Sequence, residues 1–103
     1  MSNADVITTV DGTKADIKVS GRITVQTAVP IKEAVVGLSE DVKDIDIDVS
    51  EIKYLSSAGL RVFVMAAKLA AGRGGTMRLV HPTQDILDVL DITGLINVLE
   101  TAE

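Results

Sequence analysis

The chain has 103 residues, a formal net charge of −5 and no cysteine, which fits one domain over residues 1–103 with enough interior for one core. The acidic balance disfavours nucleic acid and anionic membranes, an aromatic content of 2% argues against a base-stacking platform, and a lone histidine without cysteine excludes disulfides, thiol nucleophiles and multi-histidine metal centres. No stretch approaches the ~18 apolar residues of a membrane span and the N-terminus lacks a secretory signal, so the expectation is a cytoplasmic protein with protein partners, no metal, no cofactor and no membrane insertion.

Residues 5–10 and 14–20 flank Asp11-Gly12, a pair that tolerates the positive φ of a tight turn, and predict an antiparallel entry hairpin. Ala15, Ile17 and Val19 alternate with Lys14, Asp16 and Lys18, the period of two expected when one face is buried. Thr27 reads as the N-cap of a first helix, with Pro30 in the first turn and Ile31, Ala34, Val35 and Leu38 at helical spacing. Residues 44–49 alternate strictly, placing Asp44, Asp46 and Asp48 on one sheet face and aliphatics on the other. Alternate strand residues lie about 6.6 Å apart, too far to converge on one ion, so a solvated face is expected and helices should cover only the other side.

A second, very apolar helix is predicted over residues 58–71, stopped by Gly72-Arg73-Gly74-Gly75. That run follows a helix and lacks the Lys-Ser/Thr of a phosphate-binding loop, so it reads as a helix stop. Residues 77–80 form a short strand, and His81, without a second histidine, suits a loop or cap rather than catalysis. Pro82 and Thr83 open a third helix with Ile86, Leu87, Val89 and Leu90 inward and Asp85, Asp88 and Asp91 as its polar face, ending near Gly94. A last strand is placed at 95–99. The class is α/β: a mixed sheet of four to five strands with an N-terminal hairpin and helices mainly on one face.

Ser56-Ser57-Ala58-Gly59-Leu60 joins the end of a strand directly to the second helix. Capping by a serine hydroxyl contributes about 0.5–2 kcal/mol. A phosphate there would instead meet the positive end of the helix macrodipole, worth roughly 0.3–2 kcal/mol. At ~100° per residue, Ser57, Arg61, Met65 and Lys68 fall along one line of the helix, while Leu60, Phe63, Ala67 and Ala70 turn to the other side. Met65 between two cations reads as core filling or as a docking contact.

The segment Ile52-Lys53-Tyr54-Leu55-Ser56-Ser57-Ala58-Gly59-Leu60-Arg61 resembles the phosphorylation segment of bacterial anti-sigma factor antagonists, single-domain members of the STAS family. Gly21-Arg22-Ile23, Thr27-Ala28, Gly74-Gly75 and the stretch from Asp88 to Leu95 extend the likeness over residues 14–96. The resemblance implies the STAS fold and a phosphoacceptor at Ser57, two residues before the glycine, with Ser56 as secondary acceptor. It also implies a partner surface including Thr24, Ser56, Ala58, Gly59, Arg61, Met65 and Lys68. The unmodified protein would capture an anti-sigma factor that is also a serine kinase, phosphorylation would release it, and a serine phosphatase of the PP2C type would reset it. Such a protein is a substrate of enzymes, not an enzyme. Two positions depart from the family pattern: Ser56 stands where many members carry Asp, and Thr24 where an acid is frequent. A constitutive STAS scaffold subunit of a transport or lipid-trafficking complex is the alternative, and an exposed apolar stripe also allows a homodimer.

Overall fold

The computed structural model describes residues 4–103. Its elements in chain order are β1 (Ala4–Asp11), β2 (Lys14–Ile23), α1 (Ala28–Val36), β3 (Asp44–Leu55), α2 (Ser57–Gly72), β4 (Met77–Val80), α3 (Gln84–Thr93), a 3-10 turn (Leu95–Asn97) and β5 (Glu100–Ala102). Asp11 pairs with Lys14, so Gly12 and Thr13 form the hairpin loop. Gly12 has φ +60 at the first of these positions, where a two-residue turn matched to the strand twist demands glycine.

The sheet runs β1-β2-β3-β4-β5, antiparallel in the first pair and parallel thereafter. Ala15, Ile17 and Val19 of β2 share a buried face with Ile45, Ile47 and Val49 of β3 and Met77 and Leu79 of β4. Ile31 and Val35 of α1, Phe63 and Ala66 of α2, and Ile86 and Leu90 of α3 close the same cluster, so all three helices cover this side. Each large side chain taken fully out of water here contributes about 1.5–3 kcal/mol before entropy is counted. Two register shifts in the β2–β3 pairing, at Lys18/Ser20 and Gly21/Arg22, bend these strands. β4 pairs with β3 only over Ile45–Asp48, so the far ends of β2 and β3 project beyond it, where Ile23 meets Leu55.

The open face is less solvated than its alternation suggests. Asp46 is only 8% exposed. Its carboxylate takes two hydrogen bonds from the Arg78 guanidinium, at 3.0 and 2.7 Å, and lies 2.9 Å from Lys14 Nζ. The Arg78 bonds hold the Asp46 carboxyl below the ordinary carboxylate value against the opposing push of burial, with Lys14 adding to the same direction. Asp44 accepts from the Thr76 N–H at 2.9 Å, and Asp48 accepts from the Ser50 N–H and hydroxyl at 2.9 and 2.7 Å. Alternation fixes which face a carboxylate occupies, but cross-strand cations decide how much water it keeps.

The C-terminal segment also departs from expectation. Gly94 leaves α3 at φ +77 and Leu95–Asn97 winds into a 3-10 turn, closed by the Leu99 N–H donating to Leu95 O at 2.8 Å. The edge strand starts only at Glu100 and pairs with Arg78–Val80 of β4. An apolar run this short fits a tight turn as well as a strand, and the left-handed glycine directs the chain into the turn.

Candidate functional site

The overhanging ends of β2 and β3 deliver the chain into α2 at the serine pair. Ser56 is extended, φ −83 and ψ 169, and caps α2: its Oγ accepts from the Gly59 N–H at 3.3 Å while its carbonyl accepts from Leu60 at 3.1 Å. Its own N–H donates to Ile23 O at 2.9 Å, which ties the turn to β2. Ser57 is the first helical residue and is exposed, and its hydroxyl has no partner among the described residues. With Gly59 capped, the N–H groups of Ser57 and Ala58 are the free donors of the first turn.

Gly59 is buried because α2 sits directly on the strand ends. A β-carbon there would come 2.5 Å from Leu55 Cδ1 and 2.8 Å from Ile23 Cγ2. Ala58 is half-buried beside it. Arg61 and Lys68 are exposed on the same line of the helix as Ser57, and Met65 between them is half-buried and packs against the core. Leu60 and Phe63 are buried on the other side, with Ala70.

Thr24 is half-buried and directly follows Ile23, the last residue of β2, whose carbonyl holds Ser56. The Thr24 N–H donates to Thr27 Oγ1 at 2.7 Å and the Thr27 N–H returns to Thr24 Oγ1 at 3.3 Å, while the Ala28 N–H donates to Thr24 O at 2.9 Å. Thr27 holds the N-cap position of α1 but already has helical angles, and its hydroxyl donates backward to Arg22 O at 2.6 Å. The side-chain cap expected of Thr27 is therefore absent, and the reciprocal pair with Thr24 fixes the loop in its stead.

Sequence reasoning passed over a neighbouring feature. Val25, Ala28 and Val29 face Ala58 and Val62 across a groove of 210 Å³, with Lys32 and Arg61 as its charged lining. Val29 and Lys32 lie on α1 off its core stripe of Ala28, Ile31 and Val35, with Val25 in the loop before them, and that offset was the available signal. The other singled-out residues stand apart. His81 is exposed at φ +56 and its N–H holds Ala102 O at 2.8 Å, while the Gly72-Arg73-Gly74-Gly75 run ends α2. Among the described residues no cluster of three His, Cys, Asp or Glu could hold a metal ion, and no helix is long and apolar enough to cross a membrane.

The model of the family described as "Mlab, STAS domain" matches residues 8–100. The anti-sigma-B factor antagonist of Bacillus subtilis is 31% identical over 84 residues, covering 82% of this chain and 77% of that protein. Among solved structures, an anti-sigma factor antagonist from Mycobacterium paratuberculosis superposes with a TM-score of 0.83 at 20% identity, covering 96% of this chain and 85% of that one. The Bacillus cell fate determinant SpoIIAA in its phosphorylated form superposes with a TM-score of 0.76 at 15% identity, covering 96% and 92%.

Proposed function

The chain belongs to the STAS-domain family, and we propose that it works there as an anti-sigma factor antagonist switched by phosphorylation of Ser57. The observation that carries this reading is the division of labour in the serine pair: Ser56 is occupied as the cap of α2, while the exposed Ser57 hydroxyl has no partner among the described residues and heads the helix line that carries Arg61, Met65 and Lys68. The unmodified protein captures an anti-sigma factor. Where that factor is an ATP-dependent serine kinase, the γ-phosphoryl passes from ATP to Ser57 Oγ, whose proton goes to a base of the kinase, and ADP leaves.

The product carries about −1.5 to −2 charges at the head of α2. The free N–H groups and the macrodipole accommodate that charge in the isolated domain, so modification leaves the fold standing. A partner covering the same surface would have to desolvate it, and docking weakens. A serine phosphatase of the PP2C type restores the binding form. The protein acts in the cytoplasm as a substrate of both enzymes, with the docking contacts spread over Thr24, Ser56, Ala58, Gly59, Arg61, Met65 and Lys68.

The test is binding and phosphotransfer with the cognate anti-sigma kinase. Ser57→Ala should bind it and accept no phosphate from ATP by intact mass, while Ser57→Asp should bind poorly. Equal binding by wild type and Ser57→Asp would sink the charge switch. One observation favours a constitutive scaffold: Ser56 and Thr24 carry no charge where the family resemblance leads one to expect acids. That reading predicts a copurifying transport ATPase and a Ser57→Ala form that behaves as wild type in cells.

A further inference from the structure

The groove between α1 and α2 says what kind of surface the partner brings. Its apolar rim is displayed to solvent, with Val25 67% and Val29 51% exposed over a buried floor of Ala28 and Val62. Both charged residues that line it, Lys32 and Arg61, are cations, in a chain whose net charge is −5. The acids collect elsewhere: Asp44, Asp46 and Asp48 lie on the opposite face of the sheet, and Glu33, next to Lys32 in the chain, does not line the groove. The loop entering α1 supplies Thr24, Val25 and Gln26 and no carboxylate, and the Thr24 hydroxyl is held by Gln26 and Thr27.

We infer that this groove receives an aliphatic segment of the anti-sigma partner flanked by carboxylates, and that phosphate on Ser57 closes it by engaging Arg61. The inference rests on the partner-switch reading and adds the partner's chemistry and the route of release. Ser57 and Arg61 stand at i and i+4, where side chains meet on a helix surface. Guanidinium and phosphate form strong charge-assisted pairs. Unmodified, the two cations are free for the partner's carboxylates, which speed and orient docking while the valines bury apolar side chains. Once Ser57 is phosphorylated, two positive charges at the rim face about two negative ones of the protein's own, and an acidic partner meets no net attraction.

The test uses the full chain, isotopically labelled for amide spectra, and two synthetic helical peptides that share leucines at i, i+3 and i+7 and differ only in carrying glutamates or lysines between them. The glutamate peptide should shift groove amides and bind at least about tenfold tighter than the lysine peptide, with a margin that shrinks in high salt. Lys32→Glu combined with Arg61→Glu should reverse the preference, and Ser57→Asp should weaken the glutamate peptide about three- to tenfold. Both charge reversals are at surface-facing positions, and an unchanged spectrum outside the groove verifies the fold. Equal binding of the two peptides, shifts centred on the open sheet face, or no shifts at millimolar peptide overturn the inference. The peptides need no kinase, so the two readings fail separately. A kinase that ignores Ser57→Asp while the groove keeps its preference sinks the switch, and a working switch with an indifferent groove sinks the groove.

Discussion

Gly59 lies so close to Ile23 that a β-carbon on it would come within 2.8 Å of Cγ2. Leu55 Cδ1, at 2.5 Å from the same point, can swing away, but a β-branched methyl fully buried in the core cannot. Gly59→Ala sets a helix-propensity gain of up to about 1 kcal/mol against overpacking of about 1–3 kcal/mol. The expected result is a net loss of about 1–2 kcal/mol in urea unfolding and slower phosphotransfer to Ser57, because α2 must lift from the strand ends. A variant as stable as wild type would show that the contact relaxes freely.

Replacing each serine separates capping from chemistry. Ser56→Ala removes the acceptor for the Gly59 N–H and should cost about 0.5–2 kcal/mol, while still taking phosphate on Ser57. Ser57→Ala removes a hydroxyl with no partner among the described residues and should change stability by less than about 0.5 kcal/mol, while losing all phosphate. Thermal unfolding and intact mass on the same two variants read both effects. A large stability loss in Ser57→Ala would mean that its hydroxyl also serves the fold.

The serine pair was legible in the sequence because everything that defines it is local: a strand end, a cap, and a glycine three residues after Ser56. The element order was legible for the same reason, since Ala15, Ile17 and Val19 or Ile31 and Val35 declare their period within one turn or strand. Interactions across the fold were not. Asp46 meets Lys14 and Arg78 from the two flanking strands, and nothing near Asp46 in the chain announces either cation. The shifts opposite Ser20 and Arg22 likewise depend on how β2 pairs with β3.

Asp46 gives the fold an acid-sensitive brace. Its folded-state pKa is lowered, first by the Arg78 hydrogen bonds and also by Lys14. The unfolded chain therefore binds the proton more readily, and the brace is complete above the ordinary carboxylate value of about 3.9. It is lost as pH falls through the lower folded value. Asp46→Asn should cost about 1–2 kcal/mol at neutral pH, modest because both cations keep access to water, and its urea midpoint should fall less steeply than wild type below pH ~4. Parallel acid slopes for the two proteins would remove Asp46 from the account.

Arg73 ties the end of α2 to the exit of α1. Its guanidinium donates to Ser39 O at 2.8 Å, Val42 O at 2.9 Å and Leu38 O at 3.4 Å, and of these loop carbonyls Ser39 O also accepts from the Val42 N–H at 3.0 Å. Leu38 and Val42 are buried at the two ends of that loop, so the clamp fixes both the apolar lid over the core and the approach to β3. Arg73→Ala should cost about 1–3 kcal/mol, since three acceptors lose a charged donor at once. Arg73→Lys should recover little of this, because a single ammonium on a flexible stem cannot reproduce a planar fork that spans three carbonyls. Hydrogen exchange at residues 38–43 reads the local effect: faster exchange there in both variants, with the amides of β2 unchanged, is the expected pattern. Full rescue by lysine would show that charge alone, not the fork, holds the loop.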